Sequence, residues 1–324
     1  MNPLVSAVIP THRRPELLLR AVRSALGQTY TNLEVIVVVD GPEPETVKML
    51  ESLQEPRLRV LALQENVGGS GARNSGVDAA HGEWVALLDD DDEWLPEKID
   101  KQVASLMQAA PATNFVVCRS IVRTEIEERI MPSRFPLQGE HWAEFMYCSG
   151  ERLLFSSTGL IARSLLLAVP FTKGILSSED NDWLFRALAI NQIFPQWVEE
   201  VLAIIHGDYG RAHLSQRNNW RPSYEWAVRH RKSLLTPKSF AYFLLREALA
   251  STQRSGKPAY RLIFDRMFLF YRAVCMGKID LRFCVYFVLF SIIGDAKRHR
   301  LRVIYDFAAR KISTKAAGTE LIAQ

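Results

Sequence analysis

The first hundred residues alternate between short apolar runs and amphipathic stretches. Leu4 to Ile9 is apolar apart from one serine and stops at Pro10. From Glu16 to Leu26 the residues Leu18, Val22, Ala25 and Leu26 recur at the helical period, which predicts a helix with one covered face. Leu33 to Val39 is nearly all apolar and β-branched, the pattern of a strand covered on both faces. Glu43 to Leu53 reads as helix, Arg57 to Leu63 as strand, Ser70 to Ala80 as helix and Glu83 to Leu88 as strand. Pro96 to Gln108 reads as another helix, with Pro96 suited to its first turn.

This order predicts an α/β fold with a mostly parallel sheet and helices on both faces. Ligands of such sheets sit at the carboxyl ends of the strands. The polar residues at those ends are Pro10-Thr11, Asp40-Gly41 and Asp89 to Asp92. Residues 112 to 205 mix shorter strands and helices. After Arg211 the composition shifts, and from Trp220 onward the pattern is helical and rich in Arg, Phe, Tyr and Leu, with breaks at Pro237, Ser255 to Pro258 and Gly277. Ser313 to Gln324 reads as a frayed end.

Composition narrows the function classes. With 48% hydrophobic and 23% charged residues in 324, the chain can bury a sizeable core. A formal charge of +4 is too small to argue for a nucleic-acid partner, and none is expected. Cys118, Cys148, Cys275 and Cys284 form no C-x-x-C pair, which disfavours a zinc ribbon or thioredoxin site and suits buried thiols in a reducing cytoplasm. No secretory signal opens the sequence, and the longest apolar run, Phe283 to Ile293, falls short of the roughly 20 residues of a membrane span. A cytoplasmic protein is expected.

Four segments carry chemistry. Asp89-Asp90-Asp91-Asp92 follows the apolar strand and precedes Glu93-Trp94-Leu95-Pro96. Adjacent carboxylates repel by about 1 kcal/mol or more per pair. A solvated loop could hold them. A hard divalent cation would offset the repulsion and keep positions open for phosphate oxygens, which favours Mg²⁺ or Mn²⁺ with a diphosphate. Asp40 ends a buried strand, where it is either a turn or cap residue or an acceptor for the N–H of a base. Asn66 to Gly76 departs from G-x-G-x-x-G at Asn74, yet its small residues let a helix start against a phosphate, and Arg73 could reach a diphosphate or hold an acidic loop. In Ser178 to Arg186, acids precede an apolar helical stretch, fitting N-terminal helix stabilisation or a general base.

In combination these segments resemble glycosyltransferase family 2, whose members have the GT-A fold. Val8-Ile-Pro-Thr11 resembles the family's first strand and base-contacting loop, with Pro10 and Thr11 at the base. Leu26 to Tyr30 resembles its turn after the first helix, and Val37 to Pro42 its second strand with a uracil-facing Asp40. Asn66 to Gly76 fits N-x-G-x-x-x-A-R-N-x-G, Gly82 to Pro96 the approach to a D-x-D region, and Ser156 to Leu160 with Glu179-Asp180 the acceptor-side loop and E-D motif. The resemblance covers about residues 4 to 215. It implies a catalytic domain over 1–215, with a nucleotide half about 1–110 and an acceptor half about 111–215, and a helical region over 216–324.

The resemblance also implies an inverting, metal-dependent transfer from a nucleotide-diphosphate sugar, UDP-linked by expectation, to a hydroxyl of a carbohydrate or lipid-linked acceptor. Surface-polysaccharide or glycolipid assembly is the expected setting. Asp91 is expected to ligate the metal, with Asp89 at the ribose, diphosphate or metal. Asp90 is the alternative in a register left ambiguous by four consecutive acids. Asp180 is expected as general base with Glu179 beside it, and His206 or His213 as a late ligand to the metal or diphosphate. Three departures stand out: Val39 precedes Asp40 where many members have two acids, the D-x-D register is ambiguous, and Gln216 to Trp220 carries Asn219 where processive synthases have Arg in Q-x-x-R-W. Transfer of one sugar per binding event is therefore expected.

Residues Lys257 to Arg302 mix apolar side chains with Lys and Arg, which suits a helix packed on the catalytic domain or peripheral docking at the inner face of an anionic plasma membrane. Two other classes fit the sequence less well. A sugar nucleotidyltransferase calls for a glycine-rich basic loop after the first strand, and Thr11 to Pro15 has no glycine. A non-catalytic nucleotide-sugar-binding protein should lose acids from the D-x-D or E-D positions, and both sets are present.

Overall fold

The apolar run that opens the chain is a strand, β1 (Val5–Thr11), and all seven residues are buried. It lies between β2 (Leu33–Val39) and β4 (Trp84–Leu87), both parallel to it, and β3 (Leu58–Ala62) extends the parallel order outward from β2. The computed structural model that shows this describes residues 2–109, 113–125, 127–174, 179–190, 194–207 and 221–243. Two units divide the chain, Met1–Ser215 and Gln216–Gln324.

Helices fill the crossovers of the parallel strands: α1 (Pro15–Leu26), α2 (Pro44–Glu51) and α3 (Gly68–Ala79). Pro15 and Pro44 stand in the first turns of α1 and α2, where a missing N–H costs nothing. Ala7, Ile9, Val37 and Val39 share a core cluster with Leu18 and Val22 of α1. Each such fully buried side chain contributes about 1.5–3 kcal/mol. On the opposite face α3 lies against β1 and β2. A Cβ on Gly76 would come 2.3 Å from Val8 Cγ1 and 3.0 Å from Val38 Cγ2, so only glycine admits this approach.

Beyond β4 the sheet is mixed. After β5 (Glu93–Trp94) and α4 (Lys98–Gln108) come β6 (Thr113–Arg123), β7 (Glu128–Met131) and α5 (Trp142–Cys148). Then follow a 3-10 turn at Ser156–Thr158, β8 (Gly159–Ala162), α6 (Arg163–Ala168), α7 (Glu179–Leu188) and β9 (Phe194–His206). The strand order is β3-β2-β1-β4-β8-β6-β9-β5, with β7 on β6. β8 is antiparallel to β4 and β6, whereas β9 runs parallel to β6.

Element ends differ from the sequence reading in physically simple ways. α3 starts at Gly68 rather than Ser70, because Gly68 takes φ +77° and turns the chain into the helix. α4 starts at Lys98 rather than Pro96, whose carbonyl instead accepts the Thr29 amide at 2.9 Å.

In the second unit, α8 (Arg221–His230) is followed by a helical segment at 237–243. Thr236 and Ser239 cap that segment reciprocally, amide to hydroxyl, at 2.9 and 3.1 Å, with Pro237 at its first position. The break expected at Pro237 is thus a helix start. Residues Phe283 to Ile293, Lys297 to Arg302, Gln216 to Trp220 and His213 lie outside the described residues. No helix among the described residues is long and apolar enough to cross a membrane.

Candidate active site

The carboxyl ends of β1, β2 and β4 meet at one edge of the sheet. Pro10 and Thr11 close β1, paired with Val38 and Val39. Asp40 follows β2 and is almost wholly buried. Its Oδ1 accepts the Val67 amide at 2.7 Å, and Val67 is the residue that caps α3. Asp40 thus holds the glycine-rich segment against the sheet. Its carbonyl oxygen accepts from His12 Nδ1 at 2.8 Å and from Asn66 Nδ2 at 3.3 Å, which closes a small polar loop cluster around Thr11.

The four aspartates after β4 have four different environments. Asp89 Oδ1 accepts from Arg73 Nη2 at 2.6 Å. Asp90 accepts from Thr11 Oγ1 at 2.8 Å and from Arg14 Nη1 at 3.2 Å. Asp91 Oδ2 lies 3.0 Å from the same Arg14 Nη1, and its carbonyl accepts from the Arg20 guanidinium. Asp92 turns inward and accepts from Ser157 Oγ at 2.6 Å and from the His206 amide at 3.0 Å.

Removal from water, with the neighbouring acids adding to it, pushes Asp89 and Asp90 up to about 6 against the pull of Arg73 and Arg14 respectively. Burial, then Asp89 and Asp91, raise Asp92 well above the carboxylate range. For Arg73, burial opposes the charge, but Asp89, Glu179 and Asp180 outweigh it and hold the guanidinium firmly protonated.

The first turn of α7 faces the same edge. Glu179 Oε1 lies 3.3 Å from Arg73 Nη1, so one arginine holds an acid from each motif. Asp180 is buried, and Ser156 donates to it through both its hydroxyl (2.5 Å) and its amide (3.3 Å), with Arg152 Nη2 at 3.1 Å. The 3-10 turn therefore serves both groups of acids. Ser156 orients Asp180, while Ser157 Oγ donates to Asp92 and accepts from the Asp89 amide at 3.1 Å.

The structure thus gathers Thr11, Arg73, Asp89, Asp90, Asp91, Glu179 and Asp180 around this edge, with Asp40 at the β2 end of it. His206, at the end of β9, turns its imidazole to Glu93, with Nε2 2.7 Å from Oε1. Sequence reasoning missed Arg14, Arg20, Arg152, Ser156 and Ser157 as partners of the acids. The basic run His12-Arg13-Arg14 beside a strand end was the available signal for Arg14; the other contacts join distant parts of the chain and leave no local mark.

A divalent cation fits the donor set in a restricted way. Among the described residues no group of three or more His, Cys, Asp and Glu side chains is placed to hold a metal. Asp89 and Asp91 offer hard carboxylate oxygens with side chains 29% and 13% exposed. Mg²⁺ or Mn²⁺ at such a pair would need further oxygen ligands, such as phosphate and water, to fill its shell.

Residues 6–165 match the family model Glycosyl transferase family 2. Over 226 residues the chain is 27% identical to WcaA of Escherichia coli (strain K12), provisionally named a colanic acid biosynthesis glycosyl transferase, covering 66% of this chain and 76% of WcaA. It is 33% identical over 100 residues to the E. coli UDP-Glc:alpha-D-GlcNAc-diphosphoundecaprenol beta-1,3-glucosyltransferase WfaP, a match covering 31% of this chain and 40% of WfaP. The crystal structure of S. aureus TarS 1-349 superposes with a TM-score of 0.58 at 18% identity, over 83% of this chain and 80% of that one, which is a likeness of fold. With the motifs in family order and the acids gathered at one strand edge, residues 6–165 of this chain are a glycosyltransferase family 2 domain with the GT-A fold.

Proposed function

We propose that this glycosyltransferase transfers a hexose from a UDP-sugar, with inversion and with Mg²⁺ or Mn²⁺, to a hydroxyl of a lipid-linked glycan in surface-polysaccharide assembly. The observation that carries the reading is Arg73. It is buried, and it pairs at once with Asp89 of the strand-end run and Glu179 of the α7 motif. Two acidic segments about 90 residues apart thereby share one edge of the sheet, as donor and acceptor groups must. WfaP, with a UDP-Glc donor and a diphosphoundecaprenol-linked acceptor, supports the substrate classes, as does a structure of TarS 1-349 in complex with UDP-GlcNAc.

Pro10, Thr11 and Asp40 contact the base, and Asp89 the ribose or diphosphate. Asp91 and Asp89 would hold the metal, which when bound would supply positive charge to offset that developing on the nucleoside diphosphate. Asp90, tied to Thr11, braces the base loop. Asp180, oriented by Ser156, takes the proton of the attacking hydroxyl directly or through one water. Arg73 keeps Glu179 and Asp89 at a fixed spacing. His206 reaches the diphosphate only by releasing Glu93. Catalytic work falls to residues 1–215 and the region 216–324 makes peripheral contact with the inner face of the plasma membrane; flotation with anionic vesicles tests that contact.

Calorimetric titration with UDP and GDP, with and without Mn²⁺, tests the donor site, and Asp91→Ala is expected to abolish metal-dependent binding. Asp180→Asn is expected to keep nucleotide binding and lose about 10²–10⁴-fold in transfer. Absence of binding of any nucleotide in the presence of metal would overturn the donor-site reading.

A further inference from the structure

Arg14 touches two of the four aspartates. Its Nη1 lies 3.2 Å from Asp90 Oδ1 and 3.0 Å from Asp91 Oδ2. The turn that aims it is unusual. Arg13 takes φ +56°, a left-handed conformation that side chains other than glycine seldom adopt, and its amide donates to Glu43 Oε1 at 2.8 Å. Pro15 then starts α1 directly after Arg14. The backbone is therefore held so that the Arg14 side chain crosses to the acidic run.

Arg14 also differs from Arg73. Its side chain is 32% exposed against 7% for Arg73, so it can swing into solvent without opening the core. If it leaves, Asp90 keeps the Thr11 hydroxyl and the Asp91 main chain keeps Arg20. Its departure would release one contact on Asp90 Oδ1 and one on Asp91 Oδ2.

On the reading that Asp91 ligates the metal, a divalent cation and the Arg14 guanidinium draw on the same carboxylate. Two cations on one carboxylate repel, so a metal bound there weakens the Arg14 contact. We propose that Arg14 is an internal counter-cation for Asp91 that gives way to the metal and passes to the donor diphosphate, which makes metal and nucleotide binding depend on each other. A guanidinium suits the transfer because its planar fork pairs equally well with carboxylate and phosphate. Arg14 is on this account a positioning residue, acting through Asp91 rather than on the transferred sugar.

The test follows free Mn²⁺ by electron paramagnetic resonance during titration of the wild-type chain, Arg14→Gln and Arg14→Lys, each alone and with saturating UDP. Wild type is expected to bind Mn²⁺ on the order of tenfold tighter with UDP than without. Arg14→Gln is expected to bind Mn²⁺ alone about fivefold tighter than wild type, the size of a typical coupling between sites, and to show a smaller UDP effect. Arg14→Lys, which keeps the charge without the fork, should fall between them and serves if the Gln variant folds poorly. A purely structural role would weaken Mn²⁺ binding in both conditions, and that outcome overturns the proposal. So does unchanged Mn²⁺ binding in both variants while wild type binds the metal with UDP. If wild type binds no Mn²⁺ even with UDP or GDP, the metal reading of Asp91 fails first and removes the basis of the competition.

Discussion

Arg73 Nη2 donates to Asp89 Oδ1 at 2.6 Å, from a side chain that is only 7% exposed. The same guanidinium sits 5.6 Å from the centroid of the Phe171 ring, and its Nε is buried without a hydrogen-bond partner. Its charge is thus spent on Asp89 and Glu179.

Removing that charge should be costly. Arg73→Met leaves two partly covered carboxylates uncompensated and is expected to destabilise the fold by about 3–5 kcal/mol in urea unfolding. Arg73→Lys keeps the charge but cannot hold both acids in one plane, and should lose less. A double-mutant cycle with Asp89→Asn isolates the pair. A coupling near zero would mean the contact is incidental and the two acidic motifs are held together by other means.

Asp91 and Asp92 are neighbours with opposite expected phenotypes. Asp92 is buried and accepts from Ser157 Oγ and the His206 amide, which ties the strand end to the 3-10 turn and to β9. Asp92→Ala leaves both donors unpaired, and about 1–3 kcal/mol for each buried unsatisfied group implies a clear drop in melting temperature. Asp91→Ala relieves repulsion within the run and should leave stability nearly unchanged while abolishing metal-dependent UDP binding. The reverse pattern would shift the metal-binding register by one residue.

The register shows where local pattern stops being informative. Four consecutive acids carry no period, and their roles come from partners far along the chain: Arg14, Arg73, Ser157 and His206. β1 and β2 were legible because continuous apolar runs ending in Pro10-Thr11 and Asp40-Gly41 are a local signal of buried parallel strands. β5 was not, since the two residues Glu93 and Trp94 are too few to show alternation and form a strand only by pairing with Ile204 and Ala203. The Asp180 surroundings were legible as two separate motifs, Ser156 to Leu160 and Glu179-Asp180, but the hydrogen bonds of Ser156 to Asp180 depend on how the mixed half of the sheet folds back.

Lys98 is the other residue that pattern alone misreads. In an amphipathic helix a lysine is expected at the surface, yet Lys98 is fully buried. Its Nζ donates to Gln102 Oε1 at 2.7 Å and lies 4.4 Å from the Trp94 ring centroid. Burial lowers its pKa from 10.5 to about 8, with Cys118 partly offsetting the fall. The unfolded chain therefore binds the extra proton above about 8, and stability should rise with pH from there. Burial pushes the Cys118 thiol up from 9.0 to about 11, so its contribution is lost as pH rises across that interval. The clean window is therefore pH 7.5 to 9, over which wild type is expected to gain about 1 kcal/mol in urea unfolding. Lys98→Met should show no rise over that window and a slight fall toward pH 9 from Cys118, and Cys118→Val should let the rise continue above pH 9. A wild-type chain with no rise, or a Lys98→Met variant that keeps it, would show that Lys98 remains charged in the folded core, held by Gln102 and Trp94.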